Sequence, residues 1–572
     1  MKYSSNESLS RRNDGGIIRR SLPLIVPLVF LGFFFYFPLF TILEEGIRNE
    51  AGKVSLSNLA SILGEKYYRK VILFTVEQAI LSTIFSLLLG LPGAYIFARY
   101  HFRGKSFIKA VFTVPFILPS IIVVLGFVIF FGNNGVLNRA LMNLLGTDSP
   151  PLKILYSMKA IILAHTFYNV PICIRIIAAT WSTINRNIEK AAMSLGAGPV
   201  RRFINATLPQ IWPGIVSSAS LVFIFCFTSF AVVLVLGGGP KYSTMEVEIY
   251  RLAKVSLDLK GASALAIIEA SFSIAFMFLY LKIQESTRYI ERRAASAETI
   301  PLINAIKSKA GVLVIIYFLA MVFLVISPMA SSVYYSFLKR SGWGGRLTHT
   351  LDWYIKIFTG QQASLVPVRY LGIIKNSIFF GIVTIGVSLP IGLSITYYLH
   401  RVGIRKTGFI NALLMLPLGV SSIILGFGYI RAYQLLPWDM TGRWYAIGFA
   451  HSVVAYPFVI RTLSTVMRKI NPSYLNAARS LGAGPWRCFW HVEFPIIKPG
   501  VVAAATFAFA ISIGEINATI MLYNPRYITL PIAIYRMIAS YNYFGACALG
   551  TILIGICVFV FIVIDKMGFE IQ

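Results

Sequence analysis

The sequence predicts an all-α polytopic membrane protein made of two homologous six-helix halves in parallel orientation. Three observations predict this class. The composition is 57% hydrophobic and only 13% charged, with a mean hydropathy of +0.72, which is about half the charge of an ordinary soluble protein. Apolar runs of about 20 residues recur along the chain, each long enough to cross a bilayer core as a helix, the form that satisfies its own backbone there. Finally, the stretch Ala191 to Pro199 returns as Ala477 to Pro485, identical except where Met193 is matched by Arg479.

The spans fall near 21–43, 71–98, 107–131, 158–180, 213–236 and 263–282, then near 311–336, 371–398, 408–432, 443–465, 499–523 and 545–565. The first follows Arg11, Arg12, Arg19 and Arg20. It is longer than a signal peptide's hydrophobic region, so it reads as a retained span. An even count, about twelve, puts both termini on one side, and the basic N-terminus assigns that side to the cytoplasm by the positive-inside bias. The short loop after the second span is basic, with Arg99, Arg103 and Lys105, and so is its partner after the eighth, with Arg401, Arg405 and Lys406. The stretch 286–309 carries Arg288, Arg292, Arg293, Lys307 and Lys309 and reads as a cytoplasmic linker between a first domain, 1–285, and a second, 310–572. Glu44 to Lys70, Gly237 to Ser243 and Gly342 to Thr350 read as external loops and turns.

A net charge of +30 would suit nucleic acid in a soluble protein. Here Lys and Arg sit in short loops, where orientation requires them, so nucleic acid is set aside as a partner. Cys173, Cys226, Cys488, Cys547 and Cys557 have no metal-type spacing and read as small core residues.

The repeat runs outward at one constant offset, pairing His165 with His451, Pro171 with Pro457, Arg175 with Arg461, Pro209 with Pro495, Pro213 with Pro499 and Gly214 with Gly500. A period this long means two whole halves, not a solenoid. With an even number of spans in each, the halves share one orientation and are related by an axis along the membrane normal, with a path between them. In each half a polar, basic island, 181–212 or 467–498, falls between the fourth and fifth spans on the cytoplasmic side. Trp181 to Leu195 and Met467 to Leu481 look helical, and Gly196 and Gly482 supply positions where the chain can turn with positive φ. Pro199 and Pro485 are expected to discourage the helix from continuing. The result is an exposed helix and elbow, with Arg201, Arg202 and Arg487 beside it. A loop free to drift has no need to keep its spacing in both halves, whereas a pair of knobs for a two-fold partner does.

These residues resemble the pattern E-A-A-x3-G-x9-I-x-L-P of the cytoplasmic loop in permease subunits of binding-protein-dependent ABC importers. The first copy reads Lys190-Ala191-Ala192, Gly196 and then Leu208-Pro209; the second reads Asn476-Ala477-Ala478, Gly482 and then Phe494-Pro495. Lys190 and Asn476 stand where the pattern has Glu, although Glu189 lies one residue away. The resemblance covers nearly the whole chain and implies an ABC importer type I permease fold. It implies that each loop is a coupling helix seated in one of two copies of an ATP-binding subunit, and that an extracytoplasmic solute-binding protein delivers the solute. It further implies that this chain binds no cofactor, ATP-Mg being held by the partner ATPase, and that it lies among membrane lipid as a multi-pass protein of the bacterial cytoplasmic (inner) membrane. The double-length form looks like the iron(III) and thiamine branch, and Phe225 to Phe230, Leu236 to Pro240 and Glu246 to Tyr250 look most like its thiamine members.

A secondary active transporter of the six-plus-six type would share the span count. Arg401 to Lys406 has a faint likeness to the loop signature of such carriers but contains no Asp, and the islands stay unexplained. ATP hydrolysis on this chain is set aside, because Gly104-Lys105-Ser106 ends a phosphate loop whose first glycine would stand at Arg99. His165 and His451 read as packed, hydrogen-bonded structural groups, so no catalytic residue and no metal site is expected. An acid at a span centre costs roughly 2.5 to 3.5 kcal/mol, which singles out Glu77, Glu269 and Glu515. Glu515 and its counterpart Ser229 suit a path for a cationic solute, Fe(III) or thiamine; equally, Glu515 suits a pairing with Arg175 or Arg461. For Glu77 and Glu269, structural pairing is expected.

Overall fold

The computed structural model describes residues 24–48, 52–105, 108, 112, 118–291, 300–301, 309–340, 346–361, 368–402, 413–437, 440, 442–468 and 470–566. The basic N-terminus, most of the linker, Arg405 and Lys406 lie outside the described residues. Among those described, eleven helices are long and apolar enough to cross a membrane. In the first half they are Leu24–Gly46, Lys66–Arg99, Ser120–Leu145, Met158–Trp181, Pro199–Phe227 and Leu259–Tyr280. In the second half they are Gly311–Tyr335, Tyr370–His400, Trp444–Met467, Pro485–Gly514 and Tyr543–Val560. The element expected near 408–432 is present as the shorter helix Ser422–Gln434, 13 residues long. The apolar run is interrupted there by the 3-10 turn Leu416–Leu418, which carries Pro417, and Ser421 then caps the new helix by accepting from the Ile423 N–H. The segment Gly342 to Thr350, expected as a turn, ends in the strand Leu347–His349, which pairs antiparallel with Leu338–Arg340. From the linker, Ile300 and Pro301 pair with Tyr100 and His101, so linker and second-span loop meet on one face.

The two halves repeat the same close approaches. A methyl at Gly90 would fall 2.6 Å from Cys173 Cβ, and one at its counterpart Gly392 would fall 2.5 Å from Val459 Cγ1, so glycine lets the second span lie against the fourth in each half. Gly214 meets Thr180 and Gly500 meets Val466 in the same way, seating the fifth span on the fourth.

The first span of each half crosses to the other half. Leu24–Gly46 packs on Ser422–Gln434, and Gly311–Tyr335 packs on Ser120–Leu145. The crossing points match: a Cβ at Gly428 would stand 2.9 Å from the Pro38 carbonyl oxygen, and one at Gly126 would stand 2.9 Å from that of Pro328. Aromatic residues fill the first crossing, with Phe33 stacked on Tyr433 and Phe34 against Phe449. Away from the islands, Arg431 grips both carboxylate oxygens of Glu45 at 2.7 Å, tying the second half to the first. On the island side, Arg461 donates to the Tyr280 hydroxyl at 2.9 Å.

These crossings predict a selective sensitivity. Gly126→Leu and Gly428→Leu should each destabilise the detergent-solubilised chain by about 1–3 kcal/mol through overpacking, lowering its Tm in a thermal unfolding scan. Gly386→Ala, where nothing lies within 4 Å of the added methyl, should leave Tm unchanged. Equal Tm in all three would contradict the crossing geometry.

Candidate functional site

Each island begins with a short gap after the fourth span. Met158–Trp181 is followed by a separate helix, Arg186–Ser194, and Trp444–Met467 by Pro472–Ser480, so the helical approach expected from Trp181 and from Met467 is broken in both halves. The break has a cause at equivalent positions, because Asn185 and Asn471 cap the new helices by accepting from Asn187 and Ser473 N–H groups at 2.9 and 3.0 Å.

The helices then stop identically. Gly196 and Gly482 have φ of +78° and +80°. Ala197 N–H reaches back to the Ala192 carbonyl and Gly196 N–H to that of Met193, while Ala483 and Gly482 repeat this with Ala478 and Arg479. This is the two-bond glycine stop of a helix C-terminus. Pro199 and Pro485 do not act as the expected breakers. Each stands at the first turn of a new helix, Pro199–Arg202 or Pro485–Cys488, where a missing N–H forfeits no bond and a preset φ suits helix initiation. A π-turn, Phe203–Thr207 or Phe489–Glu493, joins these directly to the fifth span. The islands are therefore shorter than 181–212 and 467–498, because helix resumes before Leu208 and Phe494.

The predicted island residues separate into two groups. Lys190, Ala191, Ala192 and Gly196, with Asn476, Ala477, Ala478 and Gly482, lie on the knob at full or partial exposure. Leu208, Pro209, Phe494 and Pro495 lie at the root, in the first turn of the fifth-span helix. The tip of each knob is apolar: Leu195 and Leu481 are each 88% exposed, with Val200 or Trp486 beside them.

The anchoring of the two knobs differs. Glu189, in the first island, turns inward, is buried, and accepts from Arg99 and from the Thr207 hydroxyl at 2.7 Å. Burial pushes its carboxyl up, but the hydrogen bonds from Arg99 and Thr207 outweigh that and hold it below the ordinary glutamate range. In the second island Leu475 takes the register of Glu189, and buried Glu493 takes that of Thr207. Sequence reasoning noted Glu189 only as a neighbour of the motif; Arg99 at the loop end was the signal for its partner.

The fifth spans hold a second matched feature. Each is interrupted inside the membrane, after Phe227 in the first half and after Gly514 in the second, and restarts at Ala231 and Asn517. A histidine from the fourth span braces each break. His165 Nε2 lies 2.7 Å from Ser229 Oγ and its Nδ1 lies 3.2 Å from Ser82 Oγ; His451 Nε2 lies 2.7 Å from Thr519 Oγ1 and its Nδ1 lies 2.8 Å from Ser512 Oγ. Glu515 pairs with neither Arg175 nor Arg461. Its carboxylate accepts from the N–H groups of Asn517, Ala518 and Thr519, each at 3.2 Å, and so caps the restarting helix. Glu77 and Glu269 also depart from expectation: Glu77 is exposed, Glu269 is wholly buried, and neither is paired with a basic side chain among the described residues. The five cysteines are buried and free.

Two parallel copies of one helical unit, each with a glycine-stopped knob, define a duplicated permease. The chain matches the family described as "Binding-protein-dependent transport system inner membrane component" twice, over residues 82–289 and 359–567, and belongs to it. It is thus a membrane-spanning ABC importer permease of the inner membrane. It is similar to the thiamine transport system permease protein ThiP of Haemophilus influenzae, 26% identical over 494 residues, 86% of this chain and 87% of that one. The ThiP of Brucella abortus is 25% identical over 511 residues, 88% of each chain. A putative 2-aminoethylphosphonate transport system permease protein, PhnU of Salmonella typhi, is 30% identical over 263 residues, covering 46% of this chain and 91% of its own. The crystal structure of a bacterial alginate ABC transporter in complex with alginate pentasaccharide-bound periplasmic protein aligns at a TM-score of 0.40 and 17% identity, over 49% of this chain and 99% of that one.

The Glu189 anchor yields a prediction with a sign. Because its carboxyl titrates lower in the folded chain than in the unfolded one, its stabilisation is complete above the ordinary glutamate range and is lost as pH falls through the depressed value. Hydrogen exchange across Arg186–Ser194 should therefore keep its protection from pH 8 to pH 6, after correction for intrinsic rates. Glu189→Gln should weaken that protection by about 2 kcal/mol while Pro472–Ser480 is unaffected.

Proposed function

We propose that this chain forms the complete membrane domain of a thiamine importer, with 1–285 and 310–572 as its two permease domains and 286–309 as the linker. The pair of knobs carries this reading: each presents an 88%-exposed leucine, Leu195 or Leu481, from a rigid glycine-stopped helix. An apolar tip held this firmly suits burial in a partner's groove. Two copies of an ATP-binding subunit would take one knob each, through Lys190 to Gly196 and Asn476 to Gly482, with Leu208-Pro209 and Phe494-Pro495 carrying the motion into the fifth spans.

ATP-Mg stays on those subunits, and a solute-binding protein delivers thiamine to the opposite face. In this reading the islands and both termini are cytoplasmic. A ligand shifts an equilibrium only by its differential affinity for the two states, so ATP and the loaded binding protein both favour the outward-open form. Ser229 and Glu515 stand at the breaks of the fifth spans beside the solute path. Thiamine is chosen over Fe(III) because relatives similar over most of both lengths are named as thiamine permeases.

Uptake of labelled thiamine and of labelled ferric chelate, in cells lacking their own importers and supplied with this permease, its ATPase and its binding protein, separates the two solutes. Thiamine accumulation is expected, and ferric accumulation alone would overturn the solute assignment. Gly196→Val with Gly482→Val should abolish uptake and co-purification of the ATPase while the chain still inserts, because a β-branched residue at positive φ adds about 1–2 kcal/mol of strain to each knob. Normal uptake in that double variant would sink the docking role.

A further inference from the structure

A groove of about 810 Å³ opens on the second half, at the end of Tyr370–His400 that lies away from the islands. Its place follows from packing: Gly448 meets Val383 and Gly392 meets Val459, so the second and fourth spans of that half run side by side in one direction. The fourth span ends in an island, and the second span therefore starts at the opposite face. Phe358, Leu371 and Pro525 line the groove together with three cations, Arg369, Lys375 and Arg526. Arg526 is brought in by Asn376, whose side-chain amide donates to the Arg526 and Ile528 carbonyl oxygens, each at 3.1 Å. No acid lines the groove, and none of the three cations forms an ion pair among the described residues.

Like charges gathered in one groove raise the free energy unless an anion joins them. The fold does not require the gathering, as the first half shows. Thr75 accepts the N–H that starts helix Met245–Arg251 at 3.0 Å, and Ser377 accepts the one that starts Leu530–Ala539 at 2.7 Å, which aligns the two second spans. In that register Arg369 corresponds to Tyr67 and Lys375 to Leu73. The first half carries Lys66, Arg69 and Lys70 at other positions of its helix, and Leu73 simply extends an exposed apolar surface.

The surroundings decide which anion fits. Ile378, Phe379 and Ile382 share the face of Lys375 on the next two turns and are exposed, so the cation stands at the head of an apolar stripe that runs into the span. Trp444, itself exposed, starts the fourth span and packs on Phe379 with ring centroids 5.5 Å apart. Tryptophan marks the level of the lipid headgroups, and a lysine there reaches toward them while its stem lies along hydrocarbon. On the other side of the groove, Leu351, Ile355 and Phe358 form an exposed apolar face of the short helix Asp352–Phe358, as in a helix lying in the membrane surface. The geometry points to an anionic phospholipid of this leaflet, its phosphate held by Arg369, Lys375 and Arg526 and one acyl chain laid along Ile378, Phe379 and Ile382. The two arginines supply paired donors suited to phosphate oxygens. An acidic protein surface would meet the same cations but has no use for the stripe below them. Bound in this way, the lipid ties the second span to the loop that follows the broken fifth span.

Native mass spectrometry of the full-length wild-type chain, purified in a mild detergent and titrated with lipid, tests the site. Phosphatidylglycerol should bind at least about tenfold more tightly than phosphatidylcholine with the same acyl chains. Arg369→Gln with Lys375→Gln and Arg526→Gln should remove that preference. Lys66→Gln with Arg69→Gln and Lys70→Gln, an equal loss of charge on the second span of the first half, should keep it. Equal binding of the two lipids by the wild-type chain, or loss of the preference in both triple variants alike, would overturn the site. Displacement of phosphatidylglycerol by an equal concentration of sn-glycerol 3-phosphate would assign the cations to a free phosphate ester and overturn the lipid. A first triple variant that keeps the lipid preference but loses the solute-binding protein would make the groove a protein dock, again overturning the lipid.

Discussion

Broken helices inside hydrocarbon impose the constraint on which this architecture depends. Lipid offers no hydrogen bonds, so backbone groups freed by a break must find partners within the protein. Each fifth span breaks once, and the fourth span sends in a histidine: His451 joins Ser512 and Thr519 on either side of the second gap, and His165 ties Ser229 in the first gap to Ser82 of the second span. The second break has a further brace in Glu515, whose oxygens meet the N–H groups of the restarting helix. Because the fourth and fifth spans are locked together by Gly214 and Gly500, and each continues into an island, brace and knob belong to one rigid unit. In the proposed importer a displacement of the knob would reach the break through this packed backbone.

The halves are alike at their glycine contacts and knob stops and unlike where each knob is anchored. Gly126 and Gly428, Gly90 and Gly392, and Gly196 and Gly482 repeat their roles at matched positions. By contrast, Glu189 with Arg99 and Thr207 holds the first knob, while the second has Leu475 and Glu493 at the corresponding positions. A permease assembled from two identical chains could not differ in this way. Fusion of both halves into one polypeptide lets the two knobs be anchored differently.

Much of this was legible in the sequence, and the part that was not has physical reasons. Span positions follow from apolar length, and the islands follow from their repetition, since Gly196 and Gly482 need a positive φ that few residues accept. The breaks in the fifth spans were hidden because Ala231 to Leu236 is as apolar as the residues before the gap, leaving hydropathy uninterrupted. Glu515 was found as an intramembrane acid, but its capping role depends on a break that composition does not mark. Pro199 was read as a helix stop because proline's cost inside a helix and its ease at a first turn differ only in where the helix begins. Glu246 was noted only within a stretch that looks like thiamine members and not as a buried acid, because its helix lies outside the long spans, although the fold buries it.

In the proposed importer one copy of this chain supplies both docking knobs. Native mass spectrometry of the intact assembly, purified through a tag on this chain, measures that directly. One copy of this chain with two copies of the ATPase subunit is expected. Two copies of this chain, or a single ATPase bound at saturation, would contradict it.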